Sequence, residues 1–337
     1  MMDKIKWGII GCGNVTELKS GPAFNKVDHS ELVAVMRRNA ALAEDYAKRH
    51  DIPHFYTNAD DLINDADVNA VYVATPPDTH AEYAIKAMKA GKPVYVEKPM
   101  ARTFAECQEM IRVSEETGMP LFVAYYRRTL PSFLKVKELI EEGAIGKVLT
   151  VNLRLHRAFG EKDQCPDQQS WRVNPEIAGA GYFYDLASHQ LDYLDFLLGQ
   201  ITEVKGIAEN IGGFYKAEDT VVAVFTFESG ATGSASWCFV VDKNAEEDKI
   251  EFMGTAGKIS FPCFEKGDIE LFTPQGKKTF QCQNHENISF YLVEQVVGSL
   301  RGTNNYTTNM YTAARTNLIM EEIAGSYYKK HPGSQNV

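Results

Sequence analysis

Three side chains in this sequence have the types and the setting to move a proton to and from an oxygen. Lys98 stands in "VYVEKPM" (94–100), where a β-branched and aromatic run ends in Glu97, Lys98 and Pro99. A charged pair at a strand end, closed by proline, is poor material for a core. Asp185 and His189 stand in "GAGYFYDLASHQLDYL" (179–194). Being four apart, they share one face of a helix, with Asp192 a further turn along. Imidazole exchanges a proton near neutral pH. A lysine ammonium polarises an oxygen, stabilises developing negative charge or relays a proton. A carboxylate bonds hydroxyls or steers the imidazole. For D-x-x-x-H alone, a solvated acidic face with an incidental histidine is the ordinary reading. The strand-end lysine over eighty residues earlier makes a shared cleft the expectation.

The elements that must hold these groups follow from the apolar periodicity. Short β-rich runs at Lys6–Ile10, Glu31–Met36, Ala70–Ala74, Pro93–Glu97 and Pro120–Ala124 alternate with helical patterns at Asn39–His50, Asp60–Asn64, Thr79–Ala90 and Thr103–Thr117. That rhythm predicts βαβ units and a doubly wound parallel sheet. Thr103 with Glu106 reads as a capped helix start, and Gly91 and Gly118 read as stops. Beyond about residue 125 the rhythm changes to a helix (Ser132–Glu142), a long strand in "KVLTVNLRLHRAF" and a series of strands from Val204 to Gln281. These predict an α+β domain with a large, mostly antiparallel open sheet. A final helix is expected over Asn309–Tyr328, with "KKHPGSQNV" frayed. "GAGY" reads as a flexible lead-in rather than a good helix start. The predicted division is 1–124, 125–330 and a tail at 331–337.

At the N-terminus, "KIKWGIIGCGNVTE" places Gly11-x-Gly13-x-x-Thr16 between a strand and a helix. Gly11 permits the tight turn, Gly13 lets the backbone approach a pyrophosphate, and Asn14 and Val15 complete the turn. Thr16 occupies the place of a third glycine, so the fingerprint is incomplete. The second strand ends in Arg37 and Arg38 with no carboxylate for ribose hydroxyls. Two guanidinium groups there suit a 2′-phosphate, so NADP is the preferred cofactor and NAD a possible one. "VYVATPPDTH" sets Thr75, Pro76 and His80 at the carboxyl edge of the sheet, where open α/β sheets bind ligands.

Composition excludes some classes. The 337 residues exceed the size of one core, and a net charge of −10 (35 basic, 45 acidic) argues against nucleic acid or an anionic membrane as partner. No apolar run has the length of a transmembrane helix. The six cysteines show no paired or C-x-x-C spacing, so reduced thiols in the cytoplasm, with no metal site, are expected.

Taken in order, Gly11-x-Gly13, "ATPPDTH", "EKP" and "GAGYFYDLASHQLDYL" resemble the Gfo/Idh/MocA family over nearly the whole chain. These are NAD(P)-dependent enzymes of the glucose–fructose oxidoreductase and inositol dehydrogenase type. The resemblance implies a Rossmann domain and an α/β domain, an active site between them, and dimers or tetramers formed through the open sheet. It places cofactor contacts on Glu97 and Lys98, with a peptide bond to Pro99 that is commonly cis, and a catalytic set on Lys98, Asp185 and His189. The family's G-G-G-x-x-x-D-x-x-x-H pattern is met with Ala180 in place of the middle glycine. "YYRRTLP" and "SWRVNP" resemble segments that line the substrate site, which adds Tyr126, Arg127, Trp171 and Arg172 as substrate-binding candidates. As ordinary alternatives, arginines after a strand are often surface charges and a lone Trp is usually packing. The implied activity is hydride transfer between nicotinamide and a sugar, cyclitol or related polyhydroxy carbonyl compound. Two further readings fit the same motifs: a hydrolase or lyase with a tightly held nicotinamide, and a nucleotide sensor without turnover.

Overall fold

Short apolar runs between amphipathic stretches fold the first part of the chain into a strand–helix alternation. The computed structural model describes residues 3–304, 306 and 309–331. In order, the elements are β1 (Ile5–Ile10), α1 (Asn14–Leu18), α2 (Gly21–Lys26), β2 (Ser30–Met36), α3 (Ala40–Arg49), β3 (His54–Tyr56) and α4 (Ala59–Asn64). They continue with β4 (Ala70–Val73), α5 (His80–Lys89), β5 (Val94–Val96), α6 (Phe104–Thr117) and β6 (Leu121–Val123). All six strands are parallel, in the order β3-β2-β1-β4-β5-β6. The order reverses between β1 and β4, the point at which open α/β sheets take ligands beyond their carboxyl ends.

Both faces of this sheet are buried, which is why its strands read as nearly continuous apolar runs. Trp7, Ile9, Tyr72 and Tyr95 face one layer, and Ile10, Val71, Val73 and Val96 the other. The Thr103 cap forms as the sequence predicts: its side chain accepts from the Glu106 backbone N–H at 3.1 Å, and Gly118 ends α6 at φ 68°.

The next elements are α7 (Pro131–Glu141), β7 (Val148–Ala158), α8 (Pro175–Ala178), α9 (Tyr182–Leu198), β8 (Ile201–Glu209), β9 (Thr220–Phe227) and β10 (Thr232–Val241). Then come β11 (Glu247–Gly254), β12 (Lys258–Phe261), β13 (Ile269–Thr273), β14 (Gly276–Phe280), α10 (Phe290–Arg301) and α11 (Met310–Lys330). The second sheet has the order β14-β13-β12-β11-β7-β10-β9-β8, antiparallel except where β7 meets β10. α9 packs on its inner face: the Phe183 and Trp237 rings meet at 5.0 Å, and Trp237 Nε1 donates to Gln190 Oε1 at 2.7 Å.

Two compact units result, Met1–Thr129 with His285–Asn317, and Leu130–Asn284 with Leu318–Val337. A single cut near 124–125 therefore differs from the fold, because residues 285–317 return to the first unit. There α10 covers the Trp7 layer with Leu292, Val293, Val296 and Val297. The sequence also misassigns the far end. Lys329 and Lys330 are helical rather than frayed, and of the predicted tail only His331 is among the described residues.

Candidate active site

The turn after β1 is built by two glycines with different duties. Gly11 sits at φ +96°, and a Cβ there would lie 2.8 Å from Thr75 Cγ2 and 2.9 Å from the Ala74 and Thr75 backbone. Gly13 is extended, and a Cβ on it would meet no protein atom nearer than the Gly11 oxygen at 3.9 Å. The side-chain position of Gly13 is thus open space beside the switch point, which fits the close approach of a pyrophosphate. Thr16 replaces the third glycine without loss to the turn. Its hydroxyl accepts from the Gly13 N–H at 3.0 Å and donates to the Gly13 carbonyl at 2.9 Å. Cys12, between the glycines, is buried, and burial pushes its thiol up to about 11, so it is not a reactive group. At the end of β2, Arg37 Nη1 donates to the Cys12 carbonyl at 3.3 Å, while Arg38 is exposed.

Thr75 and Pro76 follow β4 at the same edge, where Thr79 Oγ1 donates to Thr75 Oγ1 at 2.8 Å. His80, a cofactor-binding candidate in the sequence, is turned into the protein. It is 1% exposed, and its ring nitrogens face the Pro99 carbonyl at 3.0 Å and the Thr75 carbonyl at 2.8 Å. Burial holds its pKa below the ordinary histidine value. It ties the loop after β4 to the loop after β5. Glu97 is turned inward as well: Tyr72 donates to its Oε1 at 2.5 Å, and its Oε2 accepts from the Lys98 N–H at 3.2 Å. Burial raises the Glu97 carboxyl above its ordinary pKa, against the pull of Tyr72 and Lys98. Lys98 follows directly, half-buried at the carboxyl end of β5, and the Lys98–Pro99 peptide bond is cis. Replacing Tyr72 by Phe removes the donor from a buried carboxyl and is expected to cost about 1–3 kcal/mol, measured by urea unfolding.

Beyond β6, a turn of 3₁₀ helix holds Tyr126, Arg127 and Arg128. Both arginines are buried, so neither is the exposed surface charge that the sequence allows. Arg127 Nη1 donates to the Tyr126 hydroxyl at 3.0 Å.

In the second unit, α9 places Asp185 and His189 on one face, and α9 is preceded by the 3₁₀ turn Trp171–Val173. Arg172 Nε donates to Asp185 Oδ2 at 2.9 Å, and its guanidinium carbon lies 4.5 Å from the Trp171 ring centre. Trp171, Arg172 and Asp185 therefore form one cluster. One face of the Trp171 ring is covered by Arg172. His189 and Asp192 are both buried, so this is no solvated acidic face. Among the described residues no group of three or more His, Cys, Asp or Glu could hold a metal ion.

A family model for oxidoreductases with an NAD-binding Rossmann fold matches residues 5–125, and the Gfo/Idh/MocA C-terminal domain model matches residues 133–260. Oxidoreductase P35 of Formosa agariphila is 37% identical over 330 residues, which span 97% of this chain and 100% of that protein. The chain belongs to the Gfo/Idh/MocA family. A 1,5-anhydro-D-fructose reductase of Ensifer adhaerens is 30% identical over 256 residues, covering 75% of this chain and 74% of that one. The solved complex of levoglucosan dehydrogenase with NADH and levoglucosan matches with a TM-score of 0.86 at 23% identity, over 97% and 98% of the two chains, a likeness of fold.

As a Gfo/Idh/MocA protein the chain is an oxidoreductase on a nicotinamide-dinucleotide fold. Two partners in the candidate site escaped the sequence. Tyr72 lies in an apolar strand, and the only hint of its bond to Glu97 is a hydroxyl in an otherwise featureless run. Glu218 is fully buried and accepts from the Gly181 N–H at 2.9 and 3.1 Å. "AED" before a strand carries no signal that its glutamate turns inward. The start of α9 is thus held by a distant carboxyl and is not a flexible lead-in.

Proposed function

We propose that the protein is a dehydrogenase or reductase, NADP-preferring and able to use NAD, acting on a sugar, cyclitol or related polyhydroxy carbonyl compound. The observation that carries this reading is Lys98, set at the carboxyl end of β5 behind the inward-turned Glu97. Gly11 to Val15 would hold the pyrophosphate, Arg37 and Arg38 the ribose end, and Thr75, Pro76 and Lys98 the nicotinamide end. The bound dinucleotide supplies the hydride acceptor or donor. Lys98 Nζ donates to the reacting oxygen and stabilises its negative charge. The His189 imidazole takes the hydroxyl proton during oxidation and returns it during reduction. Asp185, oriented by Arg172, accepts a neighbouring substrate hydroxyl. The Arg172 charge is already matched by that carboxylate, which favours a neutral polyol. Sugars, inositols, sugar acids and aromatic diols, each offered with NADP and NAD while reduced cofactor is followed by absorbance, test the reading. Turnover of a neutral polyol with added nucleotide is the expected result; no turnover with any compound removes it.

Cofactor choice is tested separately. Each charge-assisted bond to a 2′-phosphate is worth about 1.5–3 kcal/mol, so replacing Arg37 and Arg38 by alanine should lower kcat/KM for NADP at least about tenfold relative to NAD. Equal or better use of NAD by the parent refutes their assignment.

The outer face of the second sheet leaves Ile207, Val222 and Val224 exposed at 61%, 44% and 57%. Beside them Arg154 pairs with Glu247 at 2.8 Å and with Glu251 at 3.2 Å. An apolar patch rimmed by ion pairs suits a second copy of the chain, and a homodimer or homotetramer through this face completes the proposal. Val224→Glu should give monomers in light scattering, with the parent a dimer or tetramer. In keeping with six cysteines scattered without paired or C-x-x-C spacing, the proposed compartment is the cytoplasm.

A further inference from the structure

Glu218 has no part in the chemistry above, yet it lies at the start of the helix that carries Asp185 and His189. The N-cap of α9 is Gly181, which has no side chain to satisfy the free N–H groups of the first turn. Glu218 holds the cap residue itself, taking the Gly181 N–H with both oxygens. The approach is close enough to exclude any other residue there: a Cβ on Gly181 would lie 2.7 Å from the Glu218 carbonyl oxygen and 2.9 Å from Ala217 Cβ. From the other side Tyr328 of α11 donates its hydroxyl to Glu218 Oε2. Tyr327, one residue earlier, donates to the Lys216 carbonyl at 2.9 Å, which ties the same loop to α11. One carboxyl therefore joins the loop before β9, the end of α11 and the first residue of the α9 turn.

We propose that Glu218 is a positioning residue for the reaction: through Gly181 and Tyr328 it fixes the N-terminal end of α9, and with it Asp185 and His189, to a degree set by its own protonation. This rests on the reading of Asp185 and His189 as site residues. The titratable groups around Glu218 are acidic or phenolic. Asp219 is adjacent in the chain, Tyr215 comes from the same loop, and Tyr328 comes from α11, with Tyr327 and Tyr184 of α9 beside it. Asp219 is itself fully buried and is held by the Ile211 and Gly212 N–H groups at 2.9 and 2.7 Å. Burial, with Asp219 adding repulsion, pushes the Glu218 carboxyl up to about 7 against the pull of Tyr328 and Gly181. A carboxyl raised in the folded state binds its proton more tightly there than in the unfolded chain. The stability it contributes is complete below the ordinary value of 4.5 and is lost as the pH rises through about 7. Any opening that lets water reach Glu218 follows the same sign, so the first turn of α9 loosens as the carboxyl ionises.

Hydrogen–deuterium exchange over Gly181–Asp185 in the full chain, corrected for intrinsic rates between about pH 5 and 9, reads this directly. In the parent, protection should fall as the pH rises from about 5 and level off above about 7, and in Glu218→Gln that fall should be absent. Tyr328→Phe removes a donor that favours the charged form, so its fall should continue to higher pH before levelling off; this variant carries the test if Glu218→Gln does not fold. With a substrate in hand, the parent's kcat should fall with a midpoint near 7, a step missing from Glu218→Gln. A fall in protection that persists in Glu218→Gln, or a levelling-off unmoved in Tyr328→Phe, overturns the proposal. A kcat profile identical in parent and Glu218→Gln removes its link to the reaction. Exchange needs no substrate, so a protein that turns over nothing refutes the proposed function and leaves the α9 anchor standing on its own readout.

Discussion

Lys98→Met should leave a folded protein that binds dinucleotide normally and turns over about 10²- to 10³-fold more slowly. The size of the effect is that of removing one preorganised donor from an oxygen that gains charge in the transition state. Methionine keeps the length and the apolar stem of the lysine, so the packing around the half-buried side chain is little altered. Glu97 does not compensate, because its carboxyl is held inward by Tyr72 and accepts from the Lys98 backbone. Cofactor fluorescence titration gives the binding and absorbance the rate. A loss in kcat with cofactor affinity intact assigns Lys98 to the chemical step. Full activity removes it.

Gly11→Ala should be the most destabilising single change at the nucleotide end. The left-handed φ of +96° costs an alanine about 1–3 kcal/mol, and forcing its Cβ against Thr75 and the Ala74 backbone costs a similar amount. Together these take a large share of the roughly 5–15 kcal/mol that holds a domain folded. The melting temperature should fall by many degrees and dinucleotide binding should be lost with it. Gly13→Ala separates the two effects, because its Cβ would meet no protein atom nearer than 3.9 Å. That variant should melt like the parent and still bind dinucleotide poorly. An unaltered affinity in Gly13→Ala would dissociate this turn from the cofactor.

What the sequence disclosed was whatever is written in local periodicity and punctuation. Parallel strands buried on both faces leave apolar runs, and glycine, proline and the Thr103 cap mark the ends of helices, so the first sheet was legible to within one or two residues. β3 was not: it is three residues long, with His54 and Phe55 exposed, and offers no run to detect. α10 was missed because its buried face is a leucine and three valines, β-branched residues that weaken a helical signature. In the site, the spacing of Asp185 and His189 gave their common face, since four residues make about one turn. The partners that fix them come from elsewhere in the chain. Arg172, Glu218 and Tyr328 are brought to α9 by tertiary folding, and no local pattern records where a buried carboxyl finds its donor. His80 shows the converse. Its place in "TPPDTH" suggested a ligand, while its two nitrogens face backbone carbonyls that only the fold places there.

The return of α10 to the first unit also bears on the order of events during synthesis. Trp7, Ile9 and Tyr95 leave the ribosome early, whereas Leu292, Val293, Val296 and Val297, which cover the same layer, arrive nearly two hundred residues after Tyr95. For most of translation the amino-terminal sheet carries an aromatic face covered only in part, by Phe24 of α2 and Tyr46 of α3, the kind of surface that chaperones hold and aggregates recruit. A nascent chain stalled before Phe290 should therefore remain protease-sensitive around β1, although every strand of that sheet has already been made.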